Sequence, residues 1–376
     1  MDHIKRALEA TILPQLQQNK VILLFGTRRV GKTFLLKQLQ SKLEVRVLWM
    51  NGEDFEVQEL FRKRSEAALR NIIGDSRILM IDEAQAIPEV GKALKLMIDT
   101  NPDLCILATG SSSLDLAGMS GEPLTGRNIS HLLFPIAQLE LGQSALQAAQ
   151  HLDERLVYGS YPELFQHADF RQKALYLQEL VQSYLLKDIL AYSGIRHSDK
   201  IFSLLRLIAF QVGSEVSYQE LSNRLGISKI TVENYLDLLS KVYILFKLPA
   251  YSSNQRNEVS RAVKWYFYDN GIRNAVINDF RAPALRNDLG ALWENYIIAE
   301  RIKQQRYAGS LTHWYFWRNY QQQEVDLLEH ENGVLRAFEI KYQMPRKIKI
   351  PGAFRAAYPD TEIQCIHRDN YLDFVV

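Results

Sequence analysis

Three kinds of hydrophobic pattern follow one another along the 376 residues. In the first third, unbroken apolar runs (VILLF from Val21, VLWM from Val47, ILMI from Ile78, CILA from Cys105) alternate with stretches whose apolar residues recur at helical spacing. Runs of this kind suit strands buried on both faces, and their alternation with helices predicts an α/β fold with a parallel sheet. From residue 200 to 250 the pattern becomes helical, in three segments separated by GSEVS and GIS. Ser217 is placed to cap the second helix, Gly226 to make the turn and Ser228 to cap the third. YILFKLPAY and VKWYFYD then supply two strands, completing a winged-helix outline. Near the end, EVDLLEHENGVLRAFEIK alternates with period two around Asn332-Gly333, a pair that tolerates the positive φ angles of a two-residue hairpin turn.

That turn sets Asp326 opposite Glu339 and Glu324 opposite Lys341 on one face, with Val325, Leu327, Phe338 and Ile340 on the other. Facing carboxylates about 5 Å apart repel. The residues themselves leave two readings open: solvated charge over a core, or a hard divalent ion such as Mg²⁺ or Mn²⁺ between the acids.

The first apolar run leads into GTRRVGKTF, in which Gly26, Gly31, Lys32 and Thr33 fill the pattern G-x-x-x-x-G-K-T. In such a loop the backbone of Gly26, Thr27, Arg28, Arg29, Val30 and Gly31 cradles phosphates at a helix N-terminus, ahead of Phe34. Lys32 reaches the terminal phosphate oxygens, and Thr33 ligates Mg²⁺. RILMIDEAQ then delivers Asp82 to the metal and Glu83 to the attacking water, which favours ATP hydrolysis over binding alone. Thr109 or Ser111, after the next run, is placed either to sense the γ-phosphate or to form a turn and cap. Arg127 is either a finger reaching a neighbouring subunit's nucleotide or an internal salt-bridge residue.

Composition adds limits. A formal net charge of +2 restricts nucleic-acid contact to local patches. Two separated cysteines and unclustered histidines point to a reducing compartment without structural zinc. No segment reads as a signal peptide or membrane span, so a cytoplasmic protein is expected. Two patches qualify as phosphate contacts or as plain solvated charge. They are Arg256, Arg261 and Lys264 around the wing loop, and Arg346, Lys347, Lys349 and Arg355 after the hairpin.

GTRRVGKT, LMIDEAQ, ATGSSS and LTGR, in this order, resemble AAA+ ATPases of bacteria and archaea. GSYPEL at 159–164 is similar to the Gly-x-x-Pro signature of that family's helical lid. With KWYFYDNGIRNAV, LWENYIIAE, EVD and EIK, nearly the whole chain resembles predicted ATPases ending in a domain of unknown function similar to PD-(D/E)XK nucleases. The resemblance implies four domains: an ATPase core over 1–140, a lid over 141–198, a winged helix over 199–280 and a nuclease-like α/β domain over 285–376. RAPALRNDLGA reads as the linker before the last, and LWENYIIAERIKQQ as an amphipathic helix presenting Glu294.

By resemblance, Asp326, Glu339 and Glu294 bind the metal, and Lys341 positions or activates water. Val325 stands where the motif's name expects proline. The implied whole is an oligomeric, hexamer-compatible, Mg²⁺-dependent ATPase acting on branched or single-stranded DNA. A rival reading is a nucleotide-switched regulator whose winged helix presents a protein-binding face, favoured by Glu233 and Asp237 on the third helix.

Overall fold

The computed structural model describes residues 4–63, 65–111, 124, 126–185, 198–252 and 262–376. They divide into two compact units, the first running to Ile136 together with Lys241–Tyr243, the second made of the described remainder.

The first unit contains the strands β1 (Val21–Phe25), β2 (Val47–Asn51), β3 (Ile78–Asp82), β4 (Cys105–Gly110) and β5 (Asn128–Leu132). They form one sheet in the order β2-β3-β4-β1-β5, every pair parallel. The three central strands are buried along their whole length, and the edge strands β2 and β5 are partly exposed. This is why the central runs carry no polar alternation while NISHL does. The helices are α1 (Leu8–Gln15), α2 (Lys32–Gln40), α3 (Phe55–Arg62), α4 (Glu66–Ile73) and α5 (Val90–Thr100). The order makes this a P-loop type α/β fold, with β4 inserted between the phosphate-loop strand and the acidic strand.

The second unit opens with α6 (Ala145–Tyr158) and α7 (Phe170–Glu179). Next come α8 (Ser198–Phe210), α9 (Tyr218–Leu225), α10 (Lys229–Lys241) and an antiparallel pair, β6 (Leu245–Pro249) with β7 (Val263–Phe267). The turn chemistry is as expected: the Ser217 hydroxyl accepts from Glu220 N, Gly226 is left-handed, and the Ser228 hydroxyl accepts from Thr231 N. After α11 (Asn270–Ile277) and α12 (Leu289–Tyr307) comes a four-stranded sheet in the order β11-β10-β9-β8. Its strands are β8 (His313–Arg318), β9 (Glu324–Glu331), β10 (Val334–Ile340) and β11 (Glu362–Ile366); β10 and β11 are parallel and the other pairs antiparallel. The helices α13 (Gly352–Ala357) and α14 (Leu372–Val375) flank β11 in sequence. The Tyr251 amide donates to Phe316 O, so the β6–β7 pair continues into β8.

The segment expected as a linker is ordered by charge: Arg286 is buried and paired with Asp279 and Asp288, and Asp288 also binds the buried Arg273. One expectation needs correction. The helix α12 is not amphipathic, because Trp293, Asn295, Tyr296, Ile297, Ile298 and Glu300 are all buried. It packs against α6, α11, α14, β7 and β10, leaving its middle turns no solvent face.

Candidate functional site

The phosphate loop joins β1 to α2. Its backbone needs glycine at Gly26, where φ is 154° and an added Cβ would lie 2.5 Å from Leu133 O. Arg29 (φ 62°) and Gly31 (φ 95°) also take positive φ, and α2 starts at Lys32 with no side chain capping its first amides. These are the donors that an anion satisfies. The buried Lys32 ammonium folds over the loop and donates to Gly26 O (2.8 Å) and Thr27 O (3.1 Å).

Asp82 ends β3 in reach of two hydroxyls. Thr33 Oγ1 donates to its Oδ2 at 2.6 Å, and Thr109 Oγ1 to its Oδ1 at 2.7 Å. Thr109 also accepts from Glu83 N at 2.9 Å. So Thr109, considered above as a phosphate sensor, here orients the acid pair, while the buried Ser111 hydroxyl has no partner among the described residues. Glu83 is left-handed (φ 51°), and its carboxylate accepts from Gln85 Nε2. Gly52 makes that turn possible: a Cβ there would meet Glu83 O at 2.3 Å, and its amide donates to Asp82 O. The Thr33 hydroxyl and the Asp82 carboxylate form an all-oxygen pair of the kind that suits Mg²⁺.

Arg127 lies just before β5, at the opposite end of the strands from the phosphate loop. Its carbonyl accepts from Val21 N, at the start of β1, whereas the phosphate loop leaves the far end of that strand after Phe25. The two ends of such a strand are roughly 13 Å apart. The Arg127 side chain is half-exposed and ion-paired with Asp99, away from its own loop.

In the second unit, the β9–β10 hairpin has the expected register, with Leu327 opposite Phe338 and positive φ at Asn332 and Gly333. Asp326 and Glu339 are therefore neighbours, and both are buried rather than solvated. The Lys341 ammonium bridges them, 2.8 Å from Asp326 Oδ2 and 2.8 Å from Glu339 Oε2; Ile340 N also donates to Asp326. Burial, and then the Asp326 charge, push the Glu339 carboxyl up to about 7. Burial alone would lower the Lys341 ammonium, but the two acids raise it.

Glu294 takes a different set of partners. It accepts from Tyr266 Oη at 2.6 Å and faces Lys264 Nζ at 3.4 Å. Lys264 also pairs with Glu324, so the Glu324–Lys341 pairing expected from the hairpin gives way to Lys264–Glu324 and Lys341–Asp326. Lys264 is fully buried, which removes it from the proposed phosphate-contacting patch; Arg256 and Arg261 lie outside the described residues. Burial lifts the Glu294 carboxyl to about 7, with the Asp326 charge acting in the same direction and Lys264 opposing. Among the described residues no three His, Cys, Asp or Glu side chains converge to hold a metal, so Glu294, Asp326 and Glu339 do not form one ligand cluster here. Sequence reading missed Tyr266 and misplaced Lys264; a lysine within the aromatic run KWYFY was the available signal.

The other motifs interlock as structure. Asp269 accepts from Ser160 N and Ile272 N, and Gly159 leaves it room, since a Cβ there would sit 2.0 Å from Asp269 Oδ1. Asn270 and Asn274 donate to Leu156 O, while Asn295 bonds both backbone groups of Phe267. GSYPEL, YDNGIRNA and LWENYI thus meet in one buried polar core.

Residues 18–142 match the family described as AAA domain. Residues 149–282 and 289–371 match two domains of unknown function, DUF8612 and DUF4143. An uncharacterised protein of Mycobacterium tuberculosis is 28% identical over 343 residues, spanning 90% of this chain and 74% of that one. One of Haemophilus influenzae is 26% identical over 279 residues, spanning 67% and 68%. Among solved structures, the RuvB Holliday junction branch migration motor of Thermotoga maritima aligns with a TM-score of 0.30 at 18% identity, over 65% of this chain and 90% of that one. Cdc6p of Pyrobaculum aerophilum aligns with a TM-score of 0.28 at 12% identity, over 74% and 96%. No helix among the described residues is long and apolar enough to cross a membrane. The strand order, the phosphate loop with its acid pair and the family match together make residues 18–142 an AAA-type ATPase domain, a fold that binds nucleotide with Mg²⁺.

Proposed function

We propose that ATP hydrolysis in the first unit drives movement or remodelling of branched or single-stranded DNA, and that the C-terminal centre binds or cuts that DNA. In the ATPase site, Lys32 holds the terminal phosphates, Thr33 and Asp82 hold Mg²⁺, and Glu83 activates water. Arg127 acts on the nucleotide of a neighbouring copy in a homo-oligomer, a reading supported by its distance from its own loop.

One observation carries the DNA half: Asp326, Glu339 and Lys341 converge on one hairpin. The exposed Arg346, Lys347, Lys349 and Arg355 follow it directly in the chain. The order of α12, the three antiparallel strands β8–β10, α13 and the parallel β11 supports the likeness to PD-(D/E)XK nucleases. Asp326 and Glu339, two carboxylates side by side, fit a hard divalent ion and would hold Mg²⁺ or Mn²⁺. Such an ion polarises a scissile phosphate. Displaced from the two acids by such an ion, the half-exposed Lys341 would be free to turn toward charge developing on the phosphate. The three helices α8–α10 with β6–β7 support a winged helix.

A second reading, a nucleotide-switched regulator with protein-binding modules, is favoured by the pairing of exposed cations on α9 and α10. Arg224 meets Glu220 at 2.8 Å and Lys229 meets Glu233 at 3.7 Å, leaving little free charge for phosphates.

ATPase rates measured with junction, duplex and single-stranded DNA at rising salt separate the two. The DNA reading expects stimulation that fades as salt competes for phosphates. Rates indifferent to every DNA at low salt overturn it in favour of the regulator. A panel of the same DNAs with Mn²⁺ or Mg²⁺ tests cleavage; no product from any of them reduces the C-terminal centre to a binding module.

A further inference from the structure

We infer that Lys264 is a built-in cation standing where a second metal ion would otherwise sit, so that the C-terminal centre takes one divalent ion, at Asp326 and Glu339, with Glu294 as a positioning group instead of a ligand. This deepens the metal reading proposed above and rests on it for the first ion only.

The acids of the centre fall into two pairs, each with its own ammonium. Asp326 and Glu339 share Lys341, whose side chain is half-exposed and free to swing away when an ion enters. Glu294 and Glu324 share Lys264, which has no exposed side-chain surface. Lys264 comes from β7, outside the four-stranded sheet, and Tyr266, two residues on and so on the same face, donates to the same Glu294 oxygen. The Phe316 ring lies 5.2 Å from the ammonium, and Arg318 stands 3.8 Å from Glu324.

A fully buried ammonium among these groups cannot leave without stripping the partly exposed Glu294 and Glu324 of the cation they share, which is unfavourable. An incoming hydrated ion would therefore have to displace a charge that is already compensated on the Glu294 side, whereas on the Lys341 side displacement costs little because the lysine regains solvent. The strand pair β6–β7 thereby sets the charge of the centre as well as supporting the fold.

The test is Mn²⁺ binding to the full chain without nucleotide, followed by electron paramagnetic resonance. An Asp82→Asn background removes the metal position at the phosphate loop. The parent should bind one ion, lost in Asp326→Asn and retained in Glu294→Gln with affinity changed less than about threefold, an affinity shift below ~0.7 kcal/mol. Lys264→Ala, confirmed as folded by circular dichroism, should bind one ion more than its parent, and Lys264→Ala with Glu294→Gln should lose that gain.

Equal stoichiometry in Lys264→Ala and its parent overturns the inference. So does loss of the parent's ion in Glu294→Gln, a result available even if Lys264→Ala does not fold. A parent that binds no ion while Lys264→Ala gains one refutes the Asp326–Glu339 metal reading and leaves the role of Lys264 standing.

Discussion

The two acidic centres of this chain solve the problem of holding carboxylates together in opposite ways. In the first unit Asp82 is held by neutral hydroxyls, Thr33 and Thr109, while Lys32 is turned to carbonyls of its own loop. In the second unit Asp326, Glu339, Glu294 and Glu324 are held by the ammonium groups of Lys341 and Lys264. Hydroxyls are dipoles that can reorient around an arriving cation, so the first centre is open to Mg²⁺ without removing a charge. In the second each acid pair already holds an ammonium, so on the metal reading proposed above an ion would have to displace one. On that reading the same residue type would serve a readily loaded site in one place and a gated one in the other.

The largest test of the contrast is Lys32→Ala. With the loop lysine gone, ATP turnover should fall about a thousandfold or more, equivalent to ~4 kcal/mol of barrier. Normal turnover would remove the first centre from the comparison altogether. Glu83→Gln should reduce turnover about a hundredfold while nucleotide binding, read by fluorescent-nucleotide titration, persists. Loss of binding instead would make Glu83 a structural residue of its left-handed turn.

The second unit should be sensitive at Gly159, where φ is 71° and a Cβ would collide with Asp269. Gly159→Ala should cost about 3 kcal/mol or more in chemical denaturation, because both backbone and packing resist it.

A smaller effect separates the centres by pH. Folded Glu339 keeps its proton to about pH 7, whereas an unfolded glutamate releases it near 4.5. Between those values the folded chain binds more protons, so this group makes stability fall as pH rises, and its favourable contribution is fullest below about 4.5. Asp326→Asn removes the like charge that helps raise Glu339, and should flatten the decline by about 1 kcal/mol in metal-free thermal unfolding. An unchanged slope would mean that burial alone sets Glu339.

The smallest effect on folding belongs to Arg127. Its exposed pair with Asp99 should contribute at most about 0.5 kcal/mol to folding. Any larger loss of turnover in Arg127→Ala should be partly restored by mixing with Lys32→Ala protein. Without complementation, the arginine acts within its own copy.

The two regions also differ in how far they could be read from the chain. The phosphate loop, the acid pair and the hairpin register are set by neighbours in sequence. A glycine is needed where φ is positive, an apolar run pairs in a buried parallel sheet, and Asn332-Gly333 sets which residues face each other. Local rules of backbone geometry and side-chain alternation suffice for these, and they place Lys32, Thr33, Asp82, Asp326 and Glu339 correctly on their elements.

Partner choice among charges was not legible in the same way. Lys341 had two acids and one opposite glutamate to choose from, Lys264 read as a surface cation of a wing, and Thr109 read either as a phosphate sensor or as part of a turn. Each was decided by which strands the fold laid side by side: β7 against α12, and β4 between β1 and β3. The sequence by itself determined the elements, the hairpin register and the chemistry each element carries, because those depend on residues within a few positions. Only the tertiary structure decided which lysine neutralises which acid, because burial makes a charge seek the nearest opposite charge in space, and that neighbour can be 60 residues away, as Glu324 is from Lys264.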